Sequence, residues 1–91
     1  QTSPDCFALH PAYPNPFNPT TTLSYTLPKK EYVIIRLLDP RGRTLKTHRL
    51  GKQNPGRNMF RIDGRNLASG SYWVQIESGG TALSQKITLL K

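Results

Sequence analysis

The chain has 91 residues and a mass of 10.3 kDa, so it predicts one small domain with little room for a buried active site. Apolar residues make up 35% of the chain, and no apolar run approaches the ~20 residues that a transmembrane helix needs. Thirteen lysines and arginines against five acids give a net charge of +8, which makes a polyanionic partner a hypothesis to weigh.

The N-terminus lacks a basic start followed by an apolar run. We therefore expect any export signal at that end to belong to a longer precursor. Cys6 is the only cysteine, so it can form no disulfide within the chain. We expect it to pack as a small apolar side chain near the first strand.

Residues 13–20, here called the lead-in segment, read Tyr-Pro-Asn-Pro-Phe-Asn-Pro-Thr. Each of its three prolines lacks an N–H group and restricts the residue before it to extended geometry, which predicts a stiff segment without helix or ladder pairing. We expect Asn15 and Asn18 to hydrogen-bond the backbone of the following turn. We expect Tyr13 and Phe17 to anchor the segment against a sheet.

After this segment, alternating apolar and polar residues predict strands, and no stretch has a convincing helical period. The predicted strands cover residues 21–27, 32–38, 44–50, 58–62, 71–77 and 83–90, with a seventh at residues 7–9 as an alternative. The strand at residues 32–38 is apolar on both faces, which indicates a central position in its sheet. Turn signals every eight to twelve residues predict an all-β fold, a small antiparallel β-sandwich of six to seven strands.

Side chains with catalytic chemistry are few and scattered. Asp39 and Asp63 lie in glycine-containing turns, where a carboxylate usually accepts hydrogen bonds from its own backbone. The stretch at residues 69–71 lacks the Gly-x-Ser-x-Gly pattern of a nucleophile elbow. His10 and His48 are too isolated for a zinc site. We therefore predict a non-enzymatic domain with no metal and no cofactor.

The positive charge is concentrated, because residues 36–65 hold nine basic side chains against two acidic ones. Nucleic acid, an anionic polysaccharide or lipopolysaccharide would each match such a field. The sequence predicts no helix to enter a groove and carries no ribonucleoprotein motif, which disfavours nucleic acid. For most of these side chains the alternative interpretation is a solvated face.

Several separated motifs, in the same order, closely resemble the C-terminal sorting domain of the type IX (Por) secretion system. They lie at residues 13–28, 38–43, 62–66, 68–74 and 85–91. The resemblance covers residues 9–91 and shades into the immunoglobulin-like domain of flagellar hook-capping proteins, so a structural role in such an assembly is one alternative.

The resemblance implies an immunoglobulin-like β-sandwich at the C-terminus of a larger protein that crosses the periplasm and is then secreted or held at the cell surface. Residues 1–8 would form a linker from the upstream cargo domain, cleaved near residues 1–5 or further upstream, and residues 9–91 the sorting domain. The implied partners are the outer-membrane translocon, a surface sortase-like peptidase and anionic lipopolysaccharide. Carried over position by position, the recognition residues would be Gly70, Tyr72, Gln85, Lys86 and Lys91.

A terminal strand suits a sorting signal because its main chain can be read by strand addition at a receptor's sheet edge. Alternatively, Lys86 and Lys91 only protect an edge strand from aggregation. Trp73 points outward by parity, and with Tyr32 it would offer a sugar-stacking platform. That alternative function is an ancillary carbohydrate or cell-surface binding module of a secreted hydrolase, although Trp73 also suits packing under a loop.

Overall fold

A computed structural model describes residues 7–91 of the chain. The cleavage point expected near residues 1–5 and the packing expected for Cys6 lie outside these residues. The described part is all β, with strands β1 (Ala8–Tyr13), β2 (Thr20–Leu27), β3 (Glu31–Leu38), β4 (Thr44–Gln53), β5 (Gly56–Asp63), β6 (Gly70–Ser78) and β7 (Thr81–Leu89). The six predicted strands are confirmed, and the seventh runs further than expected, because β1 continues to Tyr13.

The seven strands form two antiparallel sheets that pack face to face. One sheet has three strands in the order β1-β2-β5, and the other has four in the order β4-β3-β6-β7. The predicted antiparallel β-sandwich is therefore confirmed. The strand that is apolar on both faces, β3, lies between β4 and β6 as expected of a central strand.

The core follows the alternation of the sequence, since every second residue of each inner strand is buried. On β2 the alternate residues Thr21, Leu23, Tyr25 and Leu27 are buried, and Ser24 between them is buried as well. The other buried apolar side chains are Ala12, Phe17, Val33, Ile35, Leu37, Ile62, Tyr72, Val74, Ile76, Ile87 and Leu89. Because a period of two places alternate side chains on one face, the sequence predicts most of these inward positions.

The side chain of Asp39 organises the hairpin between β3 and β4. Its Oδ1 accepts hydrogen bonds from the backbone N–H groups of Arg41 and Arg43, each at 2.9 Å. Its Oδ2 accepts a third bond from the Arg43 guanidinium, also at 2.9 Å. The prediction that this carboxylate bonds its own turn is confirmed.

These hydrogen bonds make the hairpin sensitive to acid. The backbone N–H and then the guanidinium of Arg43 lower the pKa of Asp39 below its ordinary value of 3.8. A carboxylate whose pKa is lower in the folded state stabilises the fold above its unfolded pKa, and this contribution is lost as the pH falls through the folded pKa. We expect Asp39→Asn to be less stable than the wild type at neutral pH and the difference to shrink below about pH 4. Denaturant titrations at several pH values measure it, and a difference that does not depend on pH would contradict the assignment.

The hydroxyl of Tyr25 is the buried side-chain group without a hydrogen-bond partner among the described residues. Burial raises its pKa. Because an unsatisfied buried hydroxyl costs about 1–3 kcal/mol, we expect Tyr25→Phe to raise the free energy of unfolding by about 1 kcal/mol. Urea denaturation measures this change, and a loss of stability would show that the hydroxyl makes a favourable bond.

Candidate functional site at the C-terminal strand

The lead-in segment lies along the C-terminal half of β7, an edge strand of the four-stranded sheet. The Phe17 N–H donates to the Thr88 carbonyl at 2.9 Å, and the Leu90 N–H donates to the Phe17 carbonyl at 3.0 Å, which forms a parallel bridge. The Asn15 amide bonds the same edge, since its Nδ2 donates to the Lys86 carbonyl at 3.2 Å and its Oδ1 accepts from the Thr88 N–H at 3.0 Å. The segment therefore acts as a short extra strand beside β7.

This pairing corrects three expectations for the lead-in segment. The prediction of no ladder pairing is wrong at Phe17, because the prolines around it leave its own N–H and carbonyl free to bond. Asn15 bonds β7 rather than the backbone of the following turn. Of the two expected anchors, Phe17 is 2% exposed and confirmed, whereas Tyr13 is 81% exposed and wrong. Phe17 and Asn15 are therefore the side chains of the segment that hold it against the sandwich.

Gly64, in the loop between β5 and β6, allows that loop to close over Phe17. Its N–H donates to the Pro19 carbonyl at 2.7 Å. A Cβ atom at this position would lie 3.1 Å from side-chain atoms of both Phe17 and Leu89. A side chain at this position would therefore force Phe17 or Leu89 to shift by a few tenths of an ångström.

Gln85 fastens β7 to β1 across the edge of the sandwich. Its Oε1 accepts a hydrogen bond from the Ala12 N–H at 2.9 Å, and its Nε2 donates to the His10 carbonyl at 2.7 Å. The pairing of β1 with β2 shifts register between His10 and Tyr13, so this part of β1 is irregular. The amide completes the bonding of the irregular strand. We call the junction of β1, the lead-in segment and β7 the closed seam.

Tyr72 and Gly70 shape the start of β6 beside this seam. The Tyr72 ring is buried, and its hydroxyl donates to the Ala68 carbonyl at 2.5 Å, four residues upstream. Such a bond resembles the tyrosine corner of immunoglobulin-like sandwiches. Gly70 has a φ of 154°, a conformation that other residues rarely adopt. Both residues hold the loop between β5 and β6 in place.

Lys91 lies against the same loop. Its backbone N–H donates to the Ser69 hydroxyl at 3.0 Å, and its Nζ donates to the Arg65 carbonyl at 2.7 Å. The residue is nevertheless exposed. Its ammonium group is therefore positioned by the loop but open to solvent.

Lys86 and Trp73 face each other across β7 and β6 on the outer surface of the four-stranded sheet. The Lys86 side chain is exposed and forms no ion pair within residues 7–91. Trp73 is 42% exposed, so its predicted outward orientation is confirmed. Its other cross-strand neighbour is Leu38 on β3. Trp73 therefore lies on an open sheet face flanked by one free cation.

Tyr32 and Trp73 do not form a common platform. Trp73 pairs with Leu38 at the end of β3, whereas Tyr32 lies near its start, six residues away. At ~3.3 Å per residue this separates them by about 20 Å. Tyr32 is 61% exposed, with the Lys52 ammonium 5.5 Å from its ring centre. The Tyr32 ring therefore contacts a lysine of its own domain.

Within residues 7–91, three acidic side chains form ion pairs, and two of these, Asp39 and Asp63, also bond the backbone of their own turns. Asp63 accepts a hydrogen bond from the Arg65 N–H at 3.0 Å, and the Arg65 guanidinium and then this N–H hold the pKa of Asp63 below its ordinary value. The three ion pairs within residues 7–91 are Arg36–Glu77, Arg43–Asp39 and Arg65–Asp63. No group of three or more potential metal ligands comes together in this part of the chain. Nor does a helix there have the length and apolar character to cross a membrane.

The five positions carried over from the resemblance thus fall into two sets. Gly70, Tyr72 and Gln85 build the loop and the closed seam, while Lys86 and Lys91 present charged groups to solvent. Asn15 and Phe17 belong to the same junction; the sequence predicts Phe17 as an anchor against a sheet but predicts only a local turn bond for Asn15. The paired Asn-Pro motif is the feature of the sequence that marks this segment, but it does not predict which strand the segment contacts.

Comparison with known proteins gives one family. The family model described as the secretion system C-terminal sorting domain matches residues 11–90. This range includes the lead-in segment and every strand from β2 to β7. It also includes four of the five positions carried over from the resemblance; the fifth, Lys91, lies just outside it. A search of curated proteins gives no match.

Proposed function

This chain belongs to the family of secretion system C-terminal sorting domains, and from that membership we propose that it directs a larger secreted protein across the outer membrane to the cell surface. The family match over residues 11–90 is the observation that carries the proposal. The domain performs no reaction itself. It is a sorting signal by which the type IX secretion machinery recognises its cargo.

In this proposal residues 1–8 connect the cargo to a sorting domain at residues 9–91. The cargo crosses the periplasm, the outer-membrane translocon engages the domain, and a surface sortase-like peptidase cuts within or upstream of the linker. Anionic lipopolysaccharide is then a partner of the mature cargo rather than of this sandwich. No step requires a cofactor.

The translocon contacts the folded domain through Lys86, on the outer face of β7, and through Lys91, just beyond the end of that strand. Two observations support this choice. Both side chains are exposed, and the loop contacts of Lys91 fix where its ammonium group lies. The edge of β7 from Lys86 to Leu90 is already bonded to Asn15 and Phe17, so strand addition there would first have to displace the lead-in segment. Recognition of the exposed lysine side chains does not require displacement of the lead-in segment.

Gly70, Tyr72 and Gln85 act through positioning in this account. They hold the loop and the seam against which β7 and Lys91 lie. Their replacement is expected to impair delivery only as far as it unfolds the domain. Replacement of the two lysines is expected to impair delivery without unfolding it.

The experiment is to fuse residues 9–91 to the C-terminus of a reporter that carries its own inner-membrane export signal. The fusion is expressed in a bacterium with the type IX machinery, and the surface fraction is measured by accessibility to protease added to intact cells. We expect the intact domain to bring most of the reporter to the surface. We expect removal of residues 85–91 to leave the reporter in the periplasm.

The matched control is the same host without the translocon, where both fusions should stay inside. Removing residues 85–91 deletes Ile87 and Leu89 from the core, so the level of intact periplasmic fusion must be measured alongside. Surface delivery by the shortened fusion, or periplasmic retention of the intact one, would overturn the proposal.

A further inference from the structure

The two long edges of the sandwich differ. At the closed seam, β1 and β7 are joined by Gln85 and the lead-in segment. At the opposite edge, β5 ends the three-stranded sheet and β4 ends the four-stranded sheet. No strand pairs with the outer edge of either one within residues 7–91. We call this edge the open seam.

The three-stranded sheet is one strand too narrow to cover β4. Lys46 and His48 pair with the inward residues Leu37 and Ile35, so they face the second sheet, yet neither is buried. The His48 ring lies 4.9 Å from that of Phe60 on β5, and Lys46 lies further along β4. The inner face of β4 is therefore only partly covered around His48, and it is exposed at Lys46.

A small cleft of about 120 Å³ opens at this position. Its lining is mainly apolar, and its charged residues are Arg36, Lys46, Arg61 and Asp63. The apolar lining side chains are Ile35, Leu37, Phe60, Ile62 and Val74. Such a floor suits apolar side chains projecting from a strand laid over it.

The exposed side chains of β5 are Arg57, Met59, Arg61 and Asp63; Asp63 is paired with Arg65, which leaves the two arginines as the unpaired charges of this strand within residues 7–91. Arg57 and Arg61 are exposed, and neither forms an ion pair within residues 7–91. They alternate with the inward residues Asn58, Phe60 and Ile62. An added strand would thus meet basic side chains on its outer face and an apolar cleft on its inner face.

We propose that the outer edge of β5 binds an extended peptide segment of a partner that alternates apolar and acidic residues, which becomes the fourth strand of the three-stranded sheet. Its backbone pairs with the free N–H and carbonyl groups of β5. Its apolar side chains cover the cleft beside Phe60 and His48, and its carboxylates pair across the strands with Arg57 and Arg61.

The open seam favours a peptide over an anionic polysaccharide. A polysaccharide would use the arginines but has no strand backbone to continue the ladder and no alternating apolar groups for the cleft. This surface goes beyond the sorting role, since it lies at the opposite edge of the sandwich from β7.

The test uses the full chain labelled with ¹⁵N and a blocked peptide of alternating valine and aspartate, with eight residues to match β5. We expect the peptide to shift backbone amide signals of β5 and of His48, and to slow amide exchange along β5. Arg57→Glu combined with Arg61→Glu should weaken binding at least about tenfold, since two favourable cross-strand pairs become repulsive. Lys29→Glu with Lys30→Glu changes the net charge equally in an exposed turn, and it should alter affinity by less than about twofold.

Two peptide controls separate the backbone from the charge. Proline at the fourth position interrupts a ladder, and lysine in place of aspartate reverses the charge, so each peptide should bind at least about tenfold more weakly. Equal binding of either control would overturn the proposal. So would signal shifts centred on β7, no binding at about 1 mM peptide, or an acidic polysaccharide that shifts the β5 signals when the peptide does not.

Discussion

Phe17→Ala is expected to lower the free energy of unfolding by about 3–5 kcal/mol. The Phe17 ring is 2% exposed and belongs to the hydrophobic core, and its backbone joins the lead-in segment to Thr88 and Leu90. Truncation leaves a cavity at a position where the backbone bonds depend on the ring staying in place. Because small domains have a total stability of about 5–15 kcal/mol, this change removes a large part of it.

Urea denaturation followed by the fluorescence of Trp73, the single tryptophan, measures the loss. The matched control is Tyr13→Ala in the same segment, which is 81% exposed and should change stability by less than about 0.5 kcal/mol. Equal losses for the two variants would contradict the assignment of Phe17 as the anchor. A loss below about 1 kcal/mol for Phe17→Ala would contradict it as well.

Gln85→Leu is expected to cost about 2 kcal/mol, although leucine has a similar size and is more apolar. The substitution leaves the Ala12 N–H and the His10 carbonyl without their partners, and each such group costs about 1–3 kcal/mol when it stays out of water. The exchange of the Ala12 amide should accelerate by about thirtyfold if the seam opens locally. Hydrogen exchange by NMR resolves this residue by residue.

The control is Gln75→Leu on the outer face of β6, whose side chain forms no hydrogen bond with the described residues. It should change stability by less than about 0.5 kcal/mol. If both substitutions were equally mild, Gln85 would be a peripheral contact rather than the fastening of β1 to β7. If both substitutions lowered stability equally strongly, the loss would result from replacing a polar side chain with an apolar one and not from opening the closed seam.

Much of the fold follows from local signals in the sequence. The period of two in β2, β3 and β6 predicts which side chains point inward, and the glycine and aspartate turns predict where the chain reverses. Asp39 illustrates the strength of such signals, since its three bonds lie within five residues of sequence. Such local hydrogen bonds can be predicted from the sequence because the donor and the acceptor are close along the chain.

The closed seam depends on contacts that have no local signature. Gln85 bonds His10 and Ala12 across more than seventy residues, and Asn15 bonds β7 at a similar separation. A side-chain amide bonding a distant backbone changes neither the hydrophobic period nor the turn residues. For this reason the sequence predicts only a local turn bond for Asn15 and no backbone contact for Gln85.

The candidate site shows the same limit. The resemblance implies the same recognition role for all five positions. Their burial in the structure divides them into two groups. Tyr72 is buried and Gln85 is occupied by two backbone groups, whereas Lys86 is exposed on an open face. Only tertiary structure distinguishes a residue that holds a recognised surface from one that forms it.

The positive charge has a structural explanation only in part. Arg36, Arg43 and Arg65 pair with acids of the same domain. Arg57 and Arg61 have no such partner within residues 7–91 and border the open seam. The two proposed contact surfaces are therefore at opposite edges of one sandwich, and their variants can be tested independently.

We propose that the export machinery contacts Lys86 and Lys91 on the folded domain. The most direct measurement is the surface fraction of the reporter fusion carrying Lys86→Glu and Lys91→Glu, compared with the fusion carrying Lys29→Glu and Lys30→Glu. Unfolding of both isolated domains by urea verifies that each stays within about 1 kcal/mol of the wild type. We expect at least a tenfold loss of surface delivery for the first variant, on the order of 1.4 kcal/mol, and unchanged delivery for the second. Wild-type delivery by the first variant, or an equal loss in both, would contradict the account.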